Sequence, residues 1–204
     1  MPLFYQHNIN DTAKLAVWHI TEPEDFFLQR VQLQKKINHP HKKLQHLAGR
    51  YLLQLLHPAF PLHLIEIAES NKPLLSNEAF HFSISHCGDF AAAIISENKS
   101  AGIDVELITP KIELIKYKFL SFNELNMLPV SNTKFLTLFW SCKEAVYKWY
   151  GKAGVDFKNH IVIKNISGND SRGIIECRFM KGTEKDLNIQ FHIFQELCLA
   201  WVIG

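Results

Sequence analysis

The chain has 204 residues, of which 47% are apolar, 21% charged and 12% aromatic, and its formal net charge is +2. This composition is typical of a globular protein with one large domain or two small ones, and it excludes a disordered or low-complexity chain. The near-neutral charge argues against a protein that coats nucleic acid, but it is compatible with a local anion site.

Cysteine and histidine spacing argues against zinc sites and against a disulfide scaffold. The four cysteines form no C-x-x-C pair and the histidines form no H-x-x-x-H pair. No basic start followed by an apolar run marks a signal peptide, and no apolar run is long enough to cross a membrane. We therefore expect a cytoplasmic protein that does not interact with a membrane.

The first half of the chain is predicted to contain two helices among several strands. Short strands are expected near the N-terminus and at residues 17–20. Residues 22–56 have helical periodicity, and His39-Pro40 divides them into two helices because a residue before proline avoids the helical region. The apolar face of the first helix comprises Phe26, Phe27, Val31, Leu33 and Ile37. Strands follow at residues 64–68, 80–85, 90–96 and 100–107, with a turn at residues 71–73.

The second half repeats the order of helices followed by strands. Residues 113–128 are predicted to be helical with a break near Ser121, and residues 134–150 give the clearest helical pattern, ended by Gly151 and Gly154. Strands are expected at residues 161–166, 173–180, 187–194 and 198–202. The repeated order predicts two α+β halves of similar size.

Three segments carry the residue types of a catalytic site. In Gly102-Ile103-Asp104-Val105-Glu106, a strand would place Asp104 and Glu106 on one face with Cα atoms about 6.5 Å apart, where they could share a hard cation. In the helix over residues 134–150, Trp140, Glu144 and Lys148 form a stripe because they are four residues apart. The alternatives are a solvated strand face and a surface ion pair between Glu144 and Lys148, worth only about 0.3–0.5 kcal/mol.

The third segment combines Asn71-Lys72-Pro73 with the strand end Ser85-His86-Cys87-Gly88. Hydroxyl, imidazole and loop amide donors at a strand exit suit a phosphate group. The alternative is an ordinary polar strand exit.

Taken in order, the motifs N-K-P, F-S-I-S-H-C-G, G-I-D-V-E and W-S-C-K-E-A-V-Y-K resemble the 4′-phosphopantetheinyl transferases, most closely their surfactin-synthetase-activating (Sfp-like) type. The resemblance implies transfer of 4′-phosphopantetheine from coenzyme A to a serine of an acyl or peptidyl carrier protein, with release of 3′,5′-ADP. It also implies a fold of two α+β halves related by a pseudo-two-fold axis, each with a small antiparallel sheet and a long helix.

The resemblance assigns roles to residues of the second half, 101–204. Asp104, Glu106 and Glu144 correspond to the Mg²⁺ ligands, and Lys148 to a lysine that contacts phosphate oxygens. Glu124 occupies the position of a proposed general base, with an ordinary surface glutamate as the alternative. Lys143 is expected beside Lys148 on the rim of the site, and Trp140 in a packing role.

The first half, 1–100, is expected to bind the nucleotide part of coenzyme A. Lys72 and Pro73 would border the adenine, and Ser85 and His86 would contact the 3′-phosphate. Further charge would come from the group Lys42, Lys43, His46 and Arg50, among which His46 is the preferred contact and the two lysines are expected to be solvated. Asn71 and Cys87 replace residues that are commonly glycine and serine in the family.

The resemblance further implies a monomer, with coenzyme A between the halves and no nucleic-acid partner. A basic and apolar rim near Lys116, Lys118, Phe119 and Phe122 is expected to contact the carrier protein. The class of carrier, the use of acyl-coenzyme A and the choice between Mg²⁺ and Mn²⁺ stay open.

Two other functions remain as alternatives. A magnesium-dependent nuclease also uses strand carboxylates with a helix glutamate and lysine, but it would be expected to have a basic groove. A binding module that has lost catalysis would be expected to lack one of the four residues Asp104, Glu106, Glu144 and Lys148.

Overall fold

The computed structural model describes residues 2–32, 36–70, 72–128, 132–182 and 184–204. The chain divides into two compact units, Met1–Ala101 and Gly102–Gly204. Each unit contains a small sheet with antiparallel pairing and a long helix, which confirms the predicted α+β class. The pseudo-two-fold relation and the division of functions between residues 1–100 and 101–204 stay predictions.

The first unit is built on a four-stranded antiparallel sheet with the strand order β1-β2-β6-β5. Its elements are β1 (Leu3–Asn10), β2 (Ala13–His19), α1 (Glu24–Leu28), α2 (Pro40–Leu56), β3 (Ile65–Ile67), β4 (Pro73–Leu75), β5 (His81–Cys87) and β6 (Phe90–Ser96). Strands β3 and β4 form a separate antiparallel pair. The long helix α2 covers one face of the sheet and contacts β2, β5 and β6.

Helix α2 starts and packs as its sequence dictates. Pro40 stands at its first turn, where the missing N–H is not needed, and the His39 ring accepts a hydrogen bond from the Lys42 amide. A Cβ atom added at Gly49 would lie 2.6 Å from Ile84 Cγ2, so the helix sits close against β5. This close packing fixes the position of α2 against the middle of β5.

The first predicted helix is much shorter than its periodicity indicated. Helix α1 ends at Leu28, after Phe26 and Phe27 have packed edge-on against Tyr51 of α2. A short helix is stabilised by packing of its apolar face, and Ile37 is not helical and does not extend that face. Leu33, and Asn71 of the predicted turn, lie outside the described residues.

The second unit contains a five-stranded sheet with the strand order β7-β11-β10-β9-β8. Its elements are β7 (Ala101–Leu107), α3 (Lys116–Phe119), α4 (Phe122–Asn126), α5 (Thr133–Tyr150), β8 (Ile161–Gly168), β9 (Arg172–Phe179), β10 (Lys185–Ile193) and β11 (Leu197–Ile203), with a 3-10 helix at Pro110–Leu114. Strands β8 to β11 pair antiparallel in succession. Ser121 caps α4, which confirms the predicted break in the helical region.

Helix α5 is the main packing element of the second unit. The side chain of Asn132 accepts a hydrogen bond from the Phe135 amide at its start, and Gly151 ends it with φ of 72°, a left-handed conformation that glycine adopts readily. Its buried residues pack against β11 and join one core cluster with strands β8 to β11. No helix in the described ranges is both long and apolar enough to cross a membrane.

Candidate active site

Two carboxylates leave the same face of β7. Asp104 and Glu106 are alternate residues of this strand, so their side chains point to one side. Asp104 is only 2% exposed and Glu106 is half-buried. The alternative of a solvated strand face is therefore wrong for Asp104.

Gly102 allows α5 to approach β7 closely. A Cβ atom at this position would lie 2.0 Å from the carbonyl oxygen of Ala145 and 2.6 Å from the Trp149 amide nitrogen. Both contacts are with backbone atoms, so no side-chain movement could relieve them. The glycine of the G-I-D-V-E motif thus sets the distance between the strand and the helix that carry the candidate site.

Asp104 accepts two hydrogen bonds from α5. Its Oδ2 accepts from Ser141 Oγ at 2.9 Å, and its Oδ1 accepts from Lys148 Nζ at 2.6 Å. Ser141 is fully buried and was not among the predicted site residues. It precedes Lys148 by seven residues and therefore lies on the same face of the helix, so helical periodicity alone could have identified it.

Trp140 connects Glu106 to the core of the second unit. Its indole Nε1 donates to Glu106 Oε1 at 3.3 Å, while its ring packs against Phe119 and Phe157 at centroid distances of 5.1 and 5.5 Å. The predicted packing role is present, and the residue also orients a site carboxylate.

Glu144 interacts electrostatically with both β7 carboxylates. Burial, the negative charge of Asp104 and, more weakly, that of Glu106 raise the pKa of Glu144 to about 7, and Lys148 opposes the shift. Because both β7 carboxylates act on the Glu144 pKa, we call the three side chains the carboxylate cluster, a group defined by its mutual repulsion. Such a cluster stabilises any cation that enters it.

The donor chemistry of this cluster fits a hard divalent cation. Carboxylate oxygens are the ligands that Mg²⁺ prefers, and a bound cation would relieve the repulsion that raises the pKa of Glu144. The three carboxylates are not preassembled around a cation, because within the described ranges no group of three or more His, Cys, Asp and Glu side chains is arranged as a metal site. The ammonium of Lys148 supplies part of the neutralising charge through its ion pair with Asp104.

Glu124 and Lys143 form a buried ion pair, which changes the expectations for both. Lys143 is 0% and Glu124 1% exposed, and their Nζ and Oε1 atoms are 2.7 Å apart. Lys143 also donates to the carbonyl oxygens of Phe119 and Phe157 at 2.8 and 2.9 Å. The expected position of Lys143 on the rim is therefore wrong, because its ammonium is enclosed and its three protons have protein acceptors.

Both oxygens of the Glu124 carboxylate also accept hydrogen bonds from other residues of the protein. Its Oε2 accepts from the amide and the hydroxyl of Ser121 at 2.7 and 2.9 Å, and Oε1 accepts from the Ile163 amide at 3.0 Å. These contacts form the capping box of α4 and connect it to β8. A carboxylate that is only 1% exposed and held by protein donors does not suit the expected role of general base, and the alternative of a surface glutamate is also wrong.

In the first unit, Lys72 and Pro73 line a cavity of about 190 Å³. Its walls also include Phe80, Phe82 and Ser100. Burial lowers the pKa of Lys72 to about 8. An aromatic and aliphatic wall beside a desolvated ammonium suits a ring that carries an anionic group.

Ser85 and His86 are adjacent residues of β5, so their side chains point to opposite faces of the sheet. Ser85 is 4% exposed, whereas His86 is exposed. Because the faces differ, the two side chains cannot both meet one phosphate group while β5 keeps this conformation.

The basic group on α2 is partly enclosed. Arg50 is 7% exposed and its Nη1 lies 3.1 Å from His46 Nδ1. Burial lowers the pKa of Arg50 to about 10. Lys42 is exposed, as expected, while Lys43 pairs with Glu24 and is only partly exposed.

Comparison with known proteins relates this chain to a single family. A sequence model of the 4′-phosphopantetheinyl transferase superfamily matches residues 100–202. The matched range contains Asp104, Glu106, Glu144 and Lys148.

Curated proteins with sequences similar to this chain include phosphopantetheinyl transferases. The 4′-phosphopantetheinyl transferase AcpT of Escherichia coli O157:H7 and that of strain K12 are each 34% identical over 112 residues, covering 52% of this chain and 56% of the relative. Enterobactin synthase component D of Salmonella austin is 32% identical over 111 residues, covering 52% of this chain and 47% of the relative. The chain thus spans about half the length of the curated relatives it matches.

Proposed function

The chain belongs to the 4′-phosphopantetheinyl transferase superfamily, and on that premise we propose that it is a holo-[carrier protein] synthase. The proposed reaction is Mg²⁺-dependent transfer of 4′-phosphopantetheine from coenzyme A to a serine of an acyl or peptidyl carrier protein. The second product is 3′,5′-ADP.

The observation that carries this proposal is the cluster formed where α5 meets β7. Asp104 is buried and held by Ser141 and Lys148, and the pKa of Glu144 is raised by burial and then by the two β7 carboxylates of the G-I-D-V-E motif. A diphosphate with a divalent cation is a ligand whose charges complement three carboxylates and one lysine.

In this proposal Asp104, Glu106 and Glu144 hold the cation. When bound, Mg²⁺ would neutralise charge that develops on the diphosphate as the leaving group departs. Ser141 and Trp140 act through Asp104 and Glu106, since each donates a hydrogen bond that fixes the orientation of a carboxylate.

The proposed reaction forms one bond and breaks one bond. The carrier serine oxygen forms a bond to the β-phosphorus of coenzyme A while the bond from that phosphorus to the bridging oxygen breaks, and 3′,5′-ADP leaves. We assign acceptance of the serine proton to the carboxylate oxygen of Glu144 that does not hold the cation, and not to Glu124, because Glu144 is half-buried and Glu124 is enclosed by its protein partners. Lys148 supplies a fixed positive charge to the phosphate oxygens.

For coenzyme A binding we propose the cavity beside Lys72 and Pro73 for the adenine. His86 is the exposed candidate for the 3′-phosphate, with His46 and Arg50 as further donors. Ser85 would contribute through its backbone, since its side chain points to the other face of β5 from that of His86. Lys143 is not assigned to the ligand.

We also propose the Sfp-like type for this chain, acting as a monomer. Support comes from its two units, each with a sheet and a long helix, within a single chain. Carriers of fatty-acid, polyketide and peptide synthesis are all candidate substrates.

A mass-shift assay tests the proposed function. The chain is incubated with coenzyme A, Mg²⁺ and each apo-carrier of the same genome, and the carrier mass and the release of 3′,5′-ADP are followed. We expect one or more carriers to gain the mass of phosphopantetheine, and the gain to disappear when a chelator removes the metal.

The matched variant is Glu144→Gln, which keeps the shape of the side chain. We expect a loss of transfer of roughly 100-fold or more with a melting temperature at or above that of the wild type, because a desolvated and repelled charge is removed. No mass gain with any carrier would reject the function, as would cleavage of nucleic acid in its place. Wild-type turnover in the variant would reject the assignment of the site.

A further inference from the structure

A two-residue turn follows the strand that carries His86, the proposed contact to the 3′-phosphate of coenzyme A. Cys87 at the end of β5 pairs with Phe90 at the start of β6, so only Gly88 and Asp89 lie between the two strands. Gly88 has a φ of 53°, the left-handed conformation that tight hairpins place at the first turn residue. We call Gly88 and Asp89 the β5–β6 turn.

Helix α2 holds this turn through one buried side chain. Gln45 is 7% exposed, and its Nε2 donates to the Gly88 carbonyl oxygen at 2.9 Å. A buried hydrogen bond of this kind is costly to break, because water does not replace the missing partner. Gln45 thereby connects the helix to a turn that lies 43 residues further along the chain.

Two other contacts hold the turn. His41, one helical turn before Gln45, places its Nε2 2.9 Å from the Asp89 carboxylate. The two side chains of this pair are 43% and 64% exposed, so the pair contributes little to stability. Ile20, directly after β2, donates its amide to the Asp89 carbonyl oxygen at 2.7 Å. Of these three contacts, that of Gln45 is the buried side-chain link between α2 and the turn.

His86 leaves the sheet on the face that α2 covers. Phe82 and Ile84 of β5 pack into the core under α2, and His86 follows them with the same alternation along the strand. Gly49 of α2 lies against Ile84 in the middle of β5, and Gln45, one turn earlier, reaches the turn at the end of the strand. The first half of α2 therefore lies over the side of the sheet on which His86 emerges.

Helix α2 also carries His46 and Arg50, the other proposed donors to the phosphate group. His46 follows Gln45 directly, and the Arg50 Nη1 lies 3.1 Å from the His46 Nδ1. The phosphate would thus meet side chains from a strand and from a helix, and their spacing depends on how α2 is held against the end of β5. Polar sites of this kind lose function when their groups are displaced by about 1 Å.

We propose that Gln45 is a positioning residue that holds α2 against the β5–β6 turn and thereby sets the preference of the site for coenzyme A over 3′-dephospho-coenzyme A. This inference rests on the proposed function. Gln45 is assigned no contact with the ligand, since its side chain is buried and hydrogen-bonded to Gly88. Loss of the link would let His86 and the α2 donors move apart, so the 3′-phosphate would contribute less to binding.

Calorimetric binding of coenzyme A and of 3′-dephospho-coenzyme A to the full chain tests this role. The ratio of the second Kd to the first isolates the contribution of the 3′-phosphate. Gln45→Met keeps the length of the side chain and removes its donor. We expect this variant to lower the ratio by roughly threefold to tenfold, the equivalent of one hydrogen bond, through weaker binding of coenzyme A alone. In steady-state transfer, the KM for coenzyme A should rise while kcat should not change.

Two control variants of α2 separate positioning from stability. Leu56→Ala truncates a core side chain at the other end of the helix, so it should lower the melting temperature and leave the ratio at the wild-type value. Gln54→Met makes the same chemical change at a partly exposed position of the helix. It should match the wild type in both the melting temperature and the ratio.

A double-mutant cycle tests whether Gln45 acts through His86. His86→Ala should lower the ratio by removing the phosphate contact itself. Gln45→Met should then lower the ratio by less in the His86→Ala background than in the wild type, because the side chain that it positions is already absent. Full additivity would show that Gln45 acts independently of His86 and would overturn the proposal.

The outcomes distinguish this inference from the proposed function. A ratio that Gln45→Met leaves unchanged, or that falls equally in Leu56→Ala, would overturn the positioning role and leave the enzyme assignment standing. Absence of transfer to every carrier would reject the enzyme, while the two Kd values would still decide the role of Gln45. A wild-type chain that binds both compounds equally would reject the 3′-phosphate contact and, with it, this inference.

Discussion

Neighbouring residues of α5 face different environments in the second unit. Lys143 points into the core and pairs with Glu124, whereas Glu144, the next residue, joins Asp104 and Glu106. Adjacent positions on a helix are about 100° apart, so one motif can supply both a buried ion pair, which we call the internal brace, and a carboxylate of the candidate site. The brace connects α4, α5 and β8, because Glu124 also accepts from the Ile163 amide.

Removing one member of the buried pair should destabilise the protein strongly. Lys143→Met leaves the Glu124 carboxylate buried without its cation, and we expect the free energy of unfolding to fall by about 3–5 kcal/mol. The double variant Lys143→Met with Glu124→Gln should recover part of that loss, because the side chain at position 124 then carries no charge. Chemical denaturation of both variants measures the difference.

The same double variant separates a structural from a catalytic role for Glu124. If the pair acts only as a brace, transfer activity should return as stability returns. A double variant that regains stability but transfers nothing would instead make Glu124 the base.

Sequence motifs identified the residue types of the candidate site but not their burial. Helical periodicity places Lys143 and Glu144 on adjacent faces, yet it does not reveal that both faces of α5 are covered. The carbonyl acceptors of Lys143 belong to residues 119 and 157, which are distant in sequence. Such contacts depend on tertiary packing, which a linear pattern does not contain.

At the scale of elements, the contact between β7 and α5 determines the geometry of the cluster. It depends on the absence of a side chain at Gly102, above which the Ala145 carbonyl and the Trp149 amide lie. Because both atoms belong to the helix backbone, any larger residue must displace the helix as a whole.

Gly102→Ala should therefore reduce both stability and transfer. Displacing α5 separates Lys148 and Ser141 from Asp104, so we expect a loss of transfer that exceeds the fraction of unfolded protein. Thermal unfolding and the mass-shift assay measure the two effects on the same preparation.

Gly204→Ala is the matched control, since its added Cβ would meet Leu187 Cδ2 at an ordinary 3.4 Å. It should behave like the wild type. A fully active Gly102→Ala variant would show that the strand and helix need no such approach.

Elements with strong periodicity and clear end signals were predicted well. Helix α5 ends at Tyr150 before Gly151 as expected. Strand β5 overlaps the alternating residues 80–85, and β6 coincides with the buried strand expected at residues 90–96. Helix α1 was overpredicted, because an apolar spacing compatible with a helix does not ensure that a surface exists to bury it. The short strand β4 was predicted as part of a turn, since Pro73 is a turn signal as well as a tolerated first strand residue.

For the molecule as a whole, the formal net charge is only +2, but charged groups of opposite sign are concentrated at different places in the chain. The first unit contains the half-buried Lys72 and the buried Arg50, whose pKa values are lowered by burial. The second contains the acidic cluster. Overall composition predicts neither the buried cations of the first unit nor the acidic cluster of the second.

Binding of coenzyme A should consequently weaken in mildly alkaline solution. The pKa of Lys72 is lowered from 10.5 to about 8, so above that pH its amine loses the charge that attracts an anion. We expect the Kd for coenzyme A to rise as the pH passes about 8, measured by calorimetry at constant ionic strength.

Lys72→Met should remove this pH dependence and bind weakly throughout, while Lys99→Met, at an exposed lysine, should retain it. A pH profile that Lys72→Met leaves unchanged would show that Lys72 does not face the ligand.

The four cysteines differ in exposure, so one of them can be labelled selectively. Cys142, Cys177 and Cys198 are at most 2% exposed, and burial raises the pKa of each, whereas Cys87 at the end of β5 is half-buried. The thiolate is the form that attacks an alkylating reagent, so such reagents should modify Cys87 well before the other cysteines. A fluorophore could then be attached one residue beyond His86 without engineering the chain, and its emission would report occupancy of that strand exit.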